Sequence, residues 1–161
     1  MPDERIRTAD HLPHRKLIHS ISVSALVHAT EDKHRVLDAV RLLVPNDVAI
    51  EQHQVTGHFG NPITILKART ERPQAIHQII RVITTKLSNN ELMHVQKQIA
   101  QHIDHNCNLF IRFEKQKAAR GILTLGTEDP ILTKIKIAAY PACHEVATEI
   151  ARELWKDAPL R

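Results

Sequence analysis

Apolar and polar residues alternate from residue 18 to residue 28. Ile21, Val23, Ala25 and Val27 fall on one side, and Ser20, Ser22 and Ser24 on the other. That period of two predicts a strand with one buried face and one polar face. The period then changes. Val36, Leu37, Val40, Leu43 and Val44 recur at helical spacing, with Thr30 as the expected N-cap and Glu31 and Asp32 as acids in the first turn. Pro45-Asn46-Asp47 ends that helix. Residues 48–56 and 63–69 read as two strands joined through residues 57–62, a hairpin with a turn-prone loop. Pro73 suits a first helical position, and Ile76, Ile79, Ile80, Ile83 and Leu87 form the stripe behind it. Ser88-Asn89-Asn90 stops this helix and caps the next, in which Leu92, Val95, Ile99 and Ile103 repeat. Residues 108–113 predict a strand with Leu109, Ile111 and Phe113 on one face and Phe110 and Arg112 on the other. Residues 121–125 read as a short strand. Residues 133–140 read as a strong one, where Ile135, Ile137 and Ala139 alternate with Lys134, Lys136 and Tyr140. Val146, Ile150 and Leu154 mark a last helix.

This order, β-α-β-β-α-α-β-β-α, predicts an α+β fold: an antiparallel sheet of about five strands with helices packed on one face. The other face is left for solvent or a partner. The 161 residues suit one domain. We expect it over residues 17–157, after a flexible polar tail at residues 1–16. Aromatic residues make up only 3% of the chain, so the core must be aliphatic. No apolar run reaches the roughly 18 residues of a membrane span, and residues 1–16 lack an apolar signal core. Cys107 and Cys143 are far apart and form no disulfide framework, which fits a reducing, cytoplasmic setting.

Charge adds a second pattern. All three phenylalanines lie in two basic segments. Residues 57–72 carry Lys67, Arg69 and Arg72 against Glu71, and residues 107–120 carry Arg112, Lys115, Lys117 and Arg120 against Glu114. The whole chain has a net charge of +4, so the remainder is close to neutral. Cations that hold phosphates beside rings that stack on bases are what a single-strand nucleic-acid binder needs. Core phenylalanines with solvated cations fit the same composition.

The loop Gly57-His58-Phe59-Gly60-Asn61-Pro62 offers close backbone approach, a donor, a ring and an amide. A plain hairpin loop with Phe59 folded onto the core is the competing reading. It lacks the spacing of a phosphate-binding glycine fingerprint. Alternation presents Phe110 and Arg112 together, a ring beside a guanidinium. Lys115, Lys117 and Arg120 follow, free to reach phosphates or merely solvated. Lys67 with Arg69, and Lys134 with Lys136, share strand faces; they extend a basic surface or protect sheet edges. His102, His105, Cys107, Cys143 and His144 match no zinc spacing, so no metal and no cofactor is expected. Glu51, His53 and His58 provide an acid and bases near one hairpin, but no nucleophile or cofactor motif accompanies them, and we expect no enzyme.

Four segments taken together resemble a known family: HATED at residues 28–32, GHFGNP at 57–62, FEKQKA at 113–118 and IKIAAYP at 135–141. The chain resembles, over residues 17–155, an archaeal family described as an RNA-binding domain and predicted exosome subunit. The resemblance implies a fold similar to the ribosomal protein that binds 5S rRNA. It implies RNA binding without catalysis, as an accessory factor of RNA processing or degradation, associated with the exosome, or ribosome-related. Its motif residues here are His28, Thr30, Glu31, Asp32, Gly57, His58, Phe59, Gly60, Asn61, Pro62, Lys115 and Lys117. One departure is Asn106-Cys107-Asn108, where a glycine-containing turn is expected. The expected RNA contacts are therefore Gly57, His58, Phe59, Gly60, Asn61, Lys67, Arg69, Phe110, Arg112, Lys115, Lys117 and Arg120. The partner is RNA, single-stranded or in structured loops, together with exosome or other RNA-processing proteins. A protein-interaction subunit with no RNA contact is the alternative.

Overall fold

The alternating segment becomes the centre of the sheet. In the computed structural model, which describes residues 17–156, β1 (Ile18–Val27) lies between β3 (Pro62–Thr70) and β5 (Ile131–Ile137). β2 (Ile50–Thr56) pairs outside β3, and β4 (Asn108–Phe113) pairs outside β5. The order is β2-β3-β1-β5-β4, with every pair antiparallel. The α+β reading holds. The tail expected at residues 1–16 lies outside the described residues.

One sheet face is core. Ile21, Val23, Ala25, Leu66, Ala68, Leu109, Ile111, Phe113, Ile131 and Ile135 are all buried there. α1 (Lys33–Leu43), α2 (Pro73–Lys86) and α5 (His144–Lys156) bring their apolar stripes onto it. Val36, Ala39, Val40 and Leu43 are the buried side of α1, and Ile76, Ile79, Ile80 and Ile83 that of α2. Each such aliphatic side chain contributes about 1.5–3 kcal/mol on burial. α3 (Asn89–Gln98) continues into a 3-10 turn, Ile99–His102, beside β4.

Local chemistry fixes the element ends. Ser88 and Glu91 form a capping box: the Ser88 Oγ accepts from the Glu91 N–H at 3.3 Å, and Glu91 accepts from the Ser88 N–H at 3.1 Å. Glu91 Oε1 also accepts from the Leu125 N–H at 2.9 Å, tying α3 to the segment after α4 (Lys115–Ala118). Burial pushes the Glu91 carboxyl up, but its hydrogen bonds to Thr124, Leu125 and Ser88 outweigh that and hold it below the ordinary range.

Three expectations change. Asp32, not Thr30, caps α1, accepting from the His34 N–H at 2.9 Å, and no acid stands in the first turn. Residues 121–125 form no strand: Gly121 and Ile122 donate back into the turn of α4, and only Leu125 bridges to Phe113. The third concerns residues 106–108. Cys107 takes a φ of 62°, a conformation that favours glycine. Asp104 offsets it by accepting from the N–H groups of Asn106 and Asn108 at 2.9 Å each.

Candidate nucleic-acid interface

The face of the sheet opposite the core carries the cations. Strand register settles that Lys67 and Arg69 of β3 share this face with Lys134 and Lys136 of β5. Glu51, Lys67, Ser24, Leu132 and Arg112 form one transverse row. Arg69, Ser22, Lys134 and Phe110 form the next, and Ser20, Lys136 and Asn108 a third. Rows on one face lie about 7 Å apart, and strands about 4.8 Å apart. Ser22 and Ser24 of β1 thus make a small polar floor between flanking cations, while Ser20 is buried.

These cations differ in what holds them. Lys67, Lys134 and Arg112 are exposed and, among the described residues, form no ion pair. Arg69 donates to Glu71 at 2.7 Å across an exposed pair, which leaves its guanidinium in solvent. Lys136 is bound to the Asn106 carbonyl and closes the Cys107 turn. Phe110 is half-buried at the margin of the same face, next to Lys134. Phe113 is fully buried, as its alternation with Phe110 predicts.

The β2–β3 loop projects at one end of the sheet. Gly57 and Asn61 close it, with the Gly57 N–H donating to the Asn61 carbonyl at 2.7 Å. Gly60 adopts a φ of 80°, which only glycine takes without strain. Phe59 is 87% exposed and does not fold onto the core. Its ring meets the His58 ring edge-on at 5.0 Å. His28, Ala29 and Thr30 face this loop across a shallow groove of about 230 Å³, so two motifs far apart in sequence share one site. Glu51 and His53 approach within 3.4 Å on β2, both exposed, while His58 lies in the loop.

Lys115 corrects an expectation. It is 2% exposed and unavailable to phosphate. Its Nζ donates to the Leu26 carbonyl at 2.8 Å, to Glu31 Oε1 at 2.8 Å and to Asp129 Oδ2 at 2.5 Å. Asp129 also lies 3.2 Å from His28 Nε2, and the Glu31 carboxylate accepts from the His28 N–H at 3.1 Å. Burial pushes the Asp129 carboxyl up, but the hydrogen bonds and charges of Lys115 and His28 prevail and hold it below the ordinary value. His28, Glu31 and Asp129 have the spacing of metal ligands. The Lys115 ammonium stands among them and supplies the positive charge. The HATED and FEKQKA motifs are thereby joined in one structural clamp. Lys117 and Arg120 are exposed, but they belong to the segment of α4, which packs on α1, away from the sheet rows.

Two residues of interest, His94 and Gln98, escaped the sequence reading, which weighed His102 only as a metal ligand. His94, Gln98 and His102 line a groove at the outer edge of β4. Their spacing of four, along a helix that is apolar on its other side, is the signal that could have found them.

A family model described as RNA binding matches residues 20–138. The chain is 31% identical over 141 residues to an RNA-binding protein of Pyrococcus abyssi, covering 84% of this chain and 92% of that one. A DUF54 protein from Methanothermobacter thermautotrophicus has a similar structure, with 35% identity and a TM-score of 0.74 over 87% of this chain and 99% of that one. A DUF54 protein from Archaeglobus fulgidus gives 33% identity and a TM-score of 0.77 over 85% and 99%. A UPF0201 protein from Methanococcus jannaschii, 18% identical with a TM-score of 0.58 over 87% and 99%, shares the fold.

Proposed function

The chain belongs to this archaeal RNA-binding family, and from that premise we propose that it is a non-catalytic RNA-binding protein whose ligand lies on the open face of the sheet. The observation that carries the proposal is the register. It aligns cations from three separate strands, Lys67, Lys134 and Arg112, over a serine floor. Exposed lysines and an arginine at strand spacing offer phosphates a track, and small serines let the backbone come close. Phe110 at one margin and Phe59 at one end supply stacking rings for unpaired bases. His58 and Asn61 beside Phe59 add groups that hydrogen-bond to base edges. Such a surface suits single-stranded RNA or a structured loop, because duplex bases present no ring faces.

Among the described residues, no helix is long and apolar enough to cross a membrane. An accessory role in a cytoplasmic RNA-processing assembly such as the exosome rests on the family resemblance. Co-purification of a processing complex that survives nuclease treatment is its test.

RNA binding itself is tested by fluorescence anisotropy with single-stranded RNA, duplex RNA and single-stranded DNA, each at two salt concentrations. The expected result is preference for one RNA form and a salt slope of about 0.7 per phosphate contact on single strands. Equal, weak binding to all three that vanishes at physiological salt would overturn the proposal and turn the search toward a protein ligand.

A further inference from the structure

The outer edge of β4 borders a groove of about 360 Å³, within the size range of small-ligand sites. Val95, Ile111 and Leu125 give it an apolar lining, and His94, Gln98 and His102 line its polar side. Its backbone is the informative part. At one end Ile103 bridges Leu109, and the Asp104 N–H donates to the Asn108 carbonyl at 3.0 Å. At the other end Leu125 bridges Phe113, and the Gly126 N–H donates to the Arg112 carbonyl at 3.0 Å. Gly126 makes that approach possible, because a Cβ there would stand 2.8 Å from the Glu114 Cα.

Successive residues of an antiparallel strand present their backbone groups to alternate edges. Residues 108, 110 and 112 therefore share the outer edge. Between the two bridges, the Phe110 carbonyl and the Arg112 N–H face the groove. Neither has a hydrogen-bond partner there among the described residues. An acceptor and a donor stand side by side in a mostly apolar slot. The open stretch is only about 7 Å long and is closed at both ends, too short for an added peptide strand. A flat group with a complementary donor and acceptor fits it.

We infer that this groove holds the base of an unpaired RNA nucleotide, read along its hydrogen-bonding edge by the Phe110 carbonyl and the Arg112 N–H. Extruded bases are held in this way, by edge hydrogen bonds and apolar walls. The inference rests on the open face being the RNA interface. The side chains of Phe110 and Arg112 stand on that face while their backbone lines the groove, so RNA crossing the sheet reaches the slot at the β4 edge. His102 fits this role: burial lowers its pKa first, and the charges of Arg112 and His94 lower it further. Its Nε2 lies 3.3 Å from Gln98 Oε1, so the other ring nitrogen is the one left to a base.

Two measurements on the full chain test the inference. In the first, adenosine, guanosine, cytidine and uridine 5′-monophosphates are titrated while amide resonances are followed by NMR. The Arg112 amide should shift with at least one of them, together with residues 94–98 and 125–127. In the second, Gln98→Trp fills the groove from the half-buried side of α3, with its folding checked by thermal melting and His94→Trp as a second filling variant. Affinity for single-stranded RNA should fall about tenfold while the salt slope stays unchanged, because the phosphate contacts remain. If the native chain binds RNA and both filled variants bind it equally well, the groove is empty in the complex and the inference fails, with RNA binding intact. If the native chain binds no RNA, the reading of the open face fails. The nucleotide titration then decides the groove alone: shifts at Arg112 uphold a nucleotide site, and their absence overturns it.

Discussion

Two lysine-bearing regions look alike in sequence and do opposite things in the fold. On the open face, Lys67 and Lys134 stand exposed above a polar floor. At the end of β1, Lys115 is enclosed by Glu31, Asp129 and the Leu26 carbonyl. A cation in solvent keeps its hydration and is free to exchange it for a phosphate. A cation out of solvent has already exchanged it for carboxylates, and its removal leaves those uncompensated. Counting charges finds both lysines; burial decides which can bind a ligand.

The sharpest break of this comparison is Lys115→Met. Two carboxylates lose their donor, one of them partly exposed, so chemical denaturation should show a loss of about 3 kcal/mol. Stability equal to that of the native chain would show that Lys115 is not a clamp. The converse is Lys67→Ala, Lys134→Ala and Arg112→Ala combined. Each change should alter stability by no more than about 0.5 kcal/mol. The salt slope of single-stranded RNA binding should flatten by about 2 log units if all three touch phosphate. An unchanged slope would move the interface off the sheet.

Acid sharpens the contrast further. The Asp129 pKa is depressed in the folded state, so its contribution is fully present above the ordinary aspartate value. It is lost as the pH falls below about 4, through the lower folded value. Asp129→Asn should cost about 1 kcal/mol at neutral pH, discounted for its exposure, and should flatten the acid limb of a stability–pH curve. A limb as steep as that of the native chain would assign acid sensitivity to other carboxylates, such as Glu91 and Asp104. The smallest effect belongs to Lys117→Ala. Its side chain is exposed on α4, away from the sheet rows, so both stability and salt slope should stay within error. A measurable slope change would extend the interface onto α4.

Much of the fold was legible because periodicity reports burial. The alternation in β1, β4 and β5 named the core face residue by residue, and Ser88 announced its helix through a local capping pattern. The segment 121–125 misled because only Leu125 reaches a partner strand, while Ile122 is exposed and the Gly121 and Ile122 N–H groups bond back into the turn of α4. Thr30 misled because two residues within reach could cap α1, and Glu31 was claimed by a lysine 84 positions away. Within the candidate site, the placement of Phe110 and Arg112 on the face opposite the core followed from local pattern, whereas the exposure of Phe59 was left open by the sequence and decided by the fold. The burial of Lys115 did not follow from local pattern, since nothing nearby in sequence signals it.

The sequence by itself determined which residues of each strand face the core, which segments carry cations and rings, and which family the chain resembles. These are properties of short windows, where a period of 2 or 3.6 residues is enough. Only the tertiary structure decided that the cations of β3, β4 and β5 lie on one face, that Lys115 is withdrawn from it, and that the edge of β4 keeps one acceptor and one donor open. Each depends on the register between strands distant in the chain. Register is set by packing the whole core at once, and no single window of sequence contains it.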